Sequence, residues 1–140
     1  MKRKSKKVQK YSKKVDWVKA PDITKRISHL VDKLHVDWVD KRKVFAFRSR
    51  YSKTRAYARI WGLGRIWQQA LNITPSYIVE VISERYDKLS DKQKDEVLIH
   101  ELTHIPKNFS GALVPHTRKR KGSFHDKIKG LISDYRKHNL

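Results

Sequence analysis

Two histidines spaced by three residues constrain this chain more than any other feature: His100 and His104, in the stretch Ile99-His100-Glu101-Leu102-Thr103-His104-Ile105. They can act together if the segment is helical, because residues four apart stand one above the other on a single helix face. The local signals agree. Ser90-Asp91-Lys92-Gln93 reads as a capping box, with Ser90 as N-cap and Gln93 at N3. Pro106 cannot continue a helix. The spacing therefore predicts a helix from about 90 to 105, with Leu98, Leu102 and Ile105 as its packing face. Imidazoles so placed can bind one ion as neighbouring corners of a tetrahedron, while Glu101, about 100° around the helix, is left out of the coordination. The pattern implies a zinc-activated water with Glu101 as general base. With seven His and four Glu in 140 residues, random placement yields about 0.01 such matches.

A catalytic zinc of this kind needs a third protein ligand and an open position. The chain has no cysteine, so thiolate ligands, disulfides and cysteine nucleophiles are excluded together. No Glu follows Glu101, and Asp126 and Asp134 are the only carboxylates beyond the helix. His116 and His125 are the reachable histidines. Both stand as candidates for the third ligand.

Thirty-four Lys and Arg against fourteen Asp and Glu leave a net charge of +20. Such an excess predicts attraction to polyanions, with DNA or RNA as expected partners. Residues 1–14 contribute eight basic and no acidic side chains and read as a flexible basic arm. The remaining 126 residues still carry +12, and are expected to form one domain, 15–140. Arg118, Lys119, Arg120 and Lys121 make a second basic cluster and a candidate nucleic-acid contact. No apolar run approaches the ~20 residues of a membrane span, and no apolar segment follows the basic start. The expectation is an intracellular protein without membrane contact.

Upstream, Ile23, Ile27, Leu30, Val31 and Leu34 fall at helical spacing, predicting an amphipathic helix over 22–35. His29 and His35 are expected there as surface or packing residues. Val44–Phe47, continued by residues 48–50, and the alternating run 56–61 read as strands. Residues 65–71 are ambiguous between helix and strand. Tyr77–Ile82, β-branched and nearly continuous, reads as a strand buried on both faces or central in a sheet. Phe124, Ile128, Leu131, Ile132 and Tyr135 predict a last helix over 123–137. Tyr57, Trp61 and Trp67, interleaved with Arg48, Arg50, Arg55, Arg59 and Arg65, are expected as core aromatics beside a solvated arginine face; a stacking surface for nucleic acid is the alternative.

HELTHIP, followed by FSGALVPH, a basic linker and an amphipathic helix, resembles SprT-like and minimal-gluzincin HExxH metallopeptidases. It is closer still to the phage and archaeal metallopeptidases, where ARIWGLGRIWQQAL, YIVEVISERYDKLS and VLIHELTHIP also look similar. The likeness covers roughly residues 44–136. It implies an α+β, minimal zincin-like domain: an N-terminal helix, a small three-stranded sheet, the HExxH helix and a C-terminal helix. In SprT-like proteins the third ligand is a His after a loop, often before Gly. Pro115-His116 matches by position, but Thr117 and the basic cluster stand where the Gly would be, which leaves His125 as the alternative. The resemblance thus implies a zinc endopeptidase acting on protein or peptide substrates. An edge strand within about 44–61 would align the peptide by strand addition. The competing reading is a basic nucleic-acid-binding protein whose zinc site is structural or catalytically inactive.

Overall fold

The computed structural model describes residues 13–116 and 124–138, the side chains of 124–128 and 138 excepted. The fold is α+β. Its elements run β1 (Asp16–Lys19), α1 (Pro21–Lys33), a 3₁₀ turn (Lys41–Lys43), β2 (Val44–Arg50), β3 (Ala58–Gly62), α2 (Arg65–Leu71), β4 (Tyr77–Ile82), a single helical turn α3 (Ser83–Tyr86), α4 (Asp91–Leu102) and α5 (Phe124–His138).

The sheet has four strands rather than the expected three, in the order β1-β2-β4-β3. The additional strand is β1, antiparallel to β2 with Trp17 opposite Ser49 and Lys19 opposite Phe47. All four of its residues are exposed, so it carries no alternation to betray it; its pairing partner alone makes it a strand. β4 lies between β2, to which it is parallel, and β3, to which it is antiparallel. That central place accounts for its nearly continuous burial.

Helix α1 starts with Pro21 in its first turn and buries Ile23, Ile27, Leu30 and Val31. It ends with His35 in the left-handed region at φ 53°. There the Val36 N–H bonds to the Val31 carbonyl at 3.0 Å and the His35 N–H to that of Asp32 at 3.3 Å, a Schellman closure. His35 is thus an exposed capping residue, and His29 is also exposed. The apolar face of α1 joins Leu98, Ile99 and Leu102 of α4 and Val44, Ala46, Ala58, Val79 and Val81 of the sheet in one core. Each valine, leucine or isoleucine among them contributes about 1.5–3 kcal/mol on burial. Asp95 fastens the helices together. Buried on α4, it accepts a 2.8 Å hydrogen bond from Arg26 of α1 and another from the Tyr135 hydroxyl of α5.

Both helices lie on one side of the sheet, and this overturns the expected placement of the aromatics. Tyr57, Trp61 and Trp67 are exposed rather than core. Nor are the interleaved arginines all simply solvated: Arg48 bridges Asp22 (2.7 Å) and Asp87 (3.0 Å), and Arg59 pairs with Glu80. Residues 65–71 are helical, yet α2 buries none of its side chains. Among the described residues no helix is long and apolar enough to cross a membrane.

Candidate metal centre

The capping box forms as the sequence predicts. Ser90 Oγ accepts from the Gln93 N–H at 3.2 Å, and Gln93 Oε1 accepts from the Ser90 N–H at 3.1 Å. The far end differs from expectation, since α4 stops at Leu102 instead of reaching Ile105. The cause is Thr103, whose hydroxyl turns back to the His100 carbonyl at 2.6 Å while its N–H bonds to the carbonyls of Ile99 and His100. With the His100 carbonyl so engaged, the His104 N–H bonds to Glu101 and the Ile105 N–H to Leu102, each at 3.1 Å. The last turn tightens to i→i+3 spacing. His104 therefore sits in that tightened turn, just past the regular helix.

The chain after Pro106 folds back over this end. Trp38 Nε1 donates to the Ile105 carbonyl at 2.9 Å. The Tyr77 hydroxyl accepts from the Gly111 N–H and donates to the Ala112 carbonyl, both at 2.8 Å. Gln68 donates to the Leu63 and Ser110 carbonyls, also at 2.8 Å. Gly111 has φ +94°, and a Cβ there would collide with the Leu63 carbonyl oxygen and the Gln68 amide, so only glycine fits. So held, the loop exchanges two bonds with the turn that carries His104: Val114 N–H to the His104 carbonyl, and His104 Nδ1 to the Val114 carbonyl, each 2.7 Å. A carbonyl can only accept, so Nδ1 carries the proton and Nε2 keeps its lone pair.

Two residues beyond Val114 stands His116. The loop brings it against the helix pair, with ring centroids 5.0 Å from His100 and 4.4 Å from His104; those two are 5.3 Å apart. One nitrogen from each of the three lies within 4.8 Å of the other two, so a single ion can contact all three. Burial, with His104 and His116 close by, pushes His100 down to about 4, and burial also lowers His104. Both imidazoles are held neutral, as metal ligation requires. Glu101 is buried beside them, its Oε2 3.8 Å from His100 Nε2, and burial raises its carboxyl to about 8. The side chain of His125 and all of Arg118–Lys121 lie outside the described residues.

His100 and Glu101 open onto a cleft of about 440 Å³. Ala56, Tyr57 and Ala58 form one wall, Val97 and Gln93 of α4 another, and Ile132 of α5 closes the end. The wall that carries Ala58 belongs to β3, the outermost strand on that side of the sheet. Reading the sequence alone missed Val114 and Tyr77 as supports of the site. The Val114 carbonyl acts through backbone, which no residue type announces, and Tyr77 looks like any strand aromatic.

A family model described as "Putative phage metallopeptidase" matches residues 15–139. The chain belongs to that family. No curated protein and no solved structure matches it. Membership in a metallopeptidase family and a three-histidine cluster together indicate a metal ion at this site and a protein or peptide as what a peptidase acts on.

Proposed function

We propose that the chain is a zinc-dependent endopeptidase in which His100, His104 and His116 hold the ion and Glu101 is the general base. The observation that carries the reading is the convergence of three histidine nitrogens within 4.8 Å beside a buried carboxyl, with His100 and Glu101 lining an open cleft. The donor set fits zinc: three imidazoles, of which His100 and His104 are held neutral, no thiolate, and the His104 tautomer set by a backbone carbonyl. Bound zinc would supply a Lewis acid that acidifies water and polarises the scissile carbonyl.

The chain's own residues do the rest. The cleft between β3 and α4 holds the substrate, and the outer edge of β3 offers backbone groups along which an extended peptide can lie. Glu101, neutral through burial alone, takes its ionised, proton-accepting form once a cation's charge stands beside it. It then accepts a proton from the attacking water and delivers it to the departing amine. Val114 keeps His104 turned so that Nε2 faces the cluster.

Metal analysis and proteolysis test this together. Wild type and His125→Ala should each carry about one zinc per chain, and His116→Ala should carry much less. Glu101→Gln should retain zinc and lose hydrolysis of a loosely folded protein such as casein. Equal zinc in wild type, His116→Ala and His125→Ala would sink the ligand assignment; wild-type protein with full zinc and no hydrolysis would sink the enzyme.

A further inference from the structure

No described helix or strand covers the side of the sheet opposite the helices, although Ser49 and Ile82 at one end of that face are themselves buried. Paired residues point to the same face, and the registers place Trp17 and Lys19 of β1, Phe45, Phe47 and Ser49 of β2, Ile78 and Glu80 of β4, and Arg59 and Trp61 of β3 together there. Trp17 is 54% exposed, Phe45 47% and Trp61 47%, which is far from a core and too much aromatic surface to be incidental. Trp17, Phe47, Trp61 and Ile78 line a shallow hollow of about 410 Å³ with Glu80 at its base.

The platform is held in place from below. Glu80 is fully buried, and its Oε1 accepts from both Arg59 Nε and Trp61 Nε1 at 2.8 Å. The guanidinium carbon of Arg59 lies 5.0 Å from the Trp61 ring centroid. One buried carboxylate thus sets the orientation of an indole and a guanidinium that both reach solvent, removing the entropy a ligand would otherwise spend ordering them. Glu80 is also the only carboxylate these four strands bring to this face, and it is covered. The charges that reach solvent there are Lys19 and Arg59, both positive, on a chain of net charge +20.

We propose that this face binds single-stranded nucleic acid, with successive bases stacked on Trp61, Phe45 and Trp17 and the phosphates drawn by Lys19 and the surrounding positive field. Flat aromatic rings accept any base face once the strand is unpaired, whereas a duplex keeps its base faces stacked against one another. The positive charge favours a polyanion over an apolar protein surface as the occupant. The face lies across the sheet from the metal cluster, so the proposal stands independently of the peptidase reading.

Titration of the full chain with a 5′-labelled 15-nucleotide oligo(dT), followed by anisotropy and tryptophan emission, tests it. Binding should quench tryptophan emission and should weaken as salt rises from 100 to 300 mM. Phe45→Ala and Trp61→Ala should each weaken binding about tenfold at fixed salt, and Trp61→Phe, which keeps a ring but loses the bond to Glu80, should fall between Trp61→Ala and wild type. Circular dichroism of each variant verifies that the sheet is intact; should Trp61→Ala unfold, Phe45→Ala against wild type carries the test. Unchanged affinity in folded Phe45→Ala and Trp61→Ala would overturn the proposal by leaving charge alone as the source of binding. So would a chain that ignores oligo(dT) and sediments as a dimer that Trp61→Ala dissociates, which would make a second copy the occupant.

Discussion

His104 and Val114, ten residues apart, bond to each other twice: the valine N–H meets the histidine carbonyl, and the histidine Nδ1 meets the valine carbonyl, each at 2.7 Å. The double link does two separate things. It sets the tautomer of His104, and it ends the return of the loop at the point from which His116 reaches the helix pair. The cluster is therefore assembled by backbone hydrogen bonding of the loop as much as by the helix that carries its first two members.

Val114→Pro removes the N–H half of that link. With His116 no longer delivered to a fixed position, zinc affinity should fall about 10–100-fold, the usual cost of losing a group that orients a ligand. Competition with a chromophoric chelator measures it. Unchanged affinity would show that the loop is held without Val114.

Gly111→Ala probes the same loop from its other end. Its positive φ and the close approach of Leu63 and Gln68 leave no room for a methyl group. The variant should lose about 2–3 kcal/mol in urea unfolding, with a weakened zinc site as well. Loss of stability without any loss of zinc affinity would separate the loop's docking from the site's geometry.

Val97→Phe narrows the cleft beside His100 and Glu101 without touching the histidines. Zinc content should match wild type, and kcat/KM should fall at least about tenfold on peptides with bulky side chains at the scissile bond while those with glycine or alanine there suffer less. Peptide-library cleavage compares the two. An equal fall for large and small side chains would show that this cleft does not receive them.

Arg59→Ala isolates the buried carboxylate on the other side of the sheet. Burial acts to raise Glu80, but the hydrogen bonds from Arg59 and Trp61 and the arginine's charge outweigh it, and the carboxyl lies below its ordinary value. The pair therefore contributes stability that is complete above the ordinary carboxylate pKa of about 4.3 and is lost as pH falls through the lowered value. Removing Arg59 should cost about 2–4 kcal/mol at pH 7. The deficit should shrink towards pH 4, where the unpaired Glu80 can take up a proton. Urea unfolding at the two pH values checks this, and an equal deficit at both would rule out an ionised Glu80.

Local pattern was enough to read much of this protein. The capping box at Ser90, the periodicity of α1 and the β-branched run of β4 are short-range signals, and each describes an interaction completed within a few residues. The pairing of His100 with His104 belongs with them, since one helical turn is all it needs. What only the tertiary structure decided is non-local. Exposed β1 became a strand because β2 was there to pair with it. The tight turn at Thr103 and the loop's return placed His116 by hydrogen bonds to Tyr77, Gln68 and His104, contacts whose partners lie up to 42 residues apart. The aromatics show the same limit: alternation along a strand says that Trp61 and Ile60 face opposite ways, but which face the helices cover depends on how the whole chain packs. That choice left Trp61 in solvent, across the sheet from the histidines.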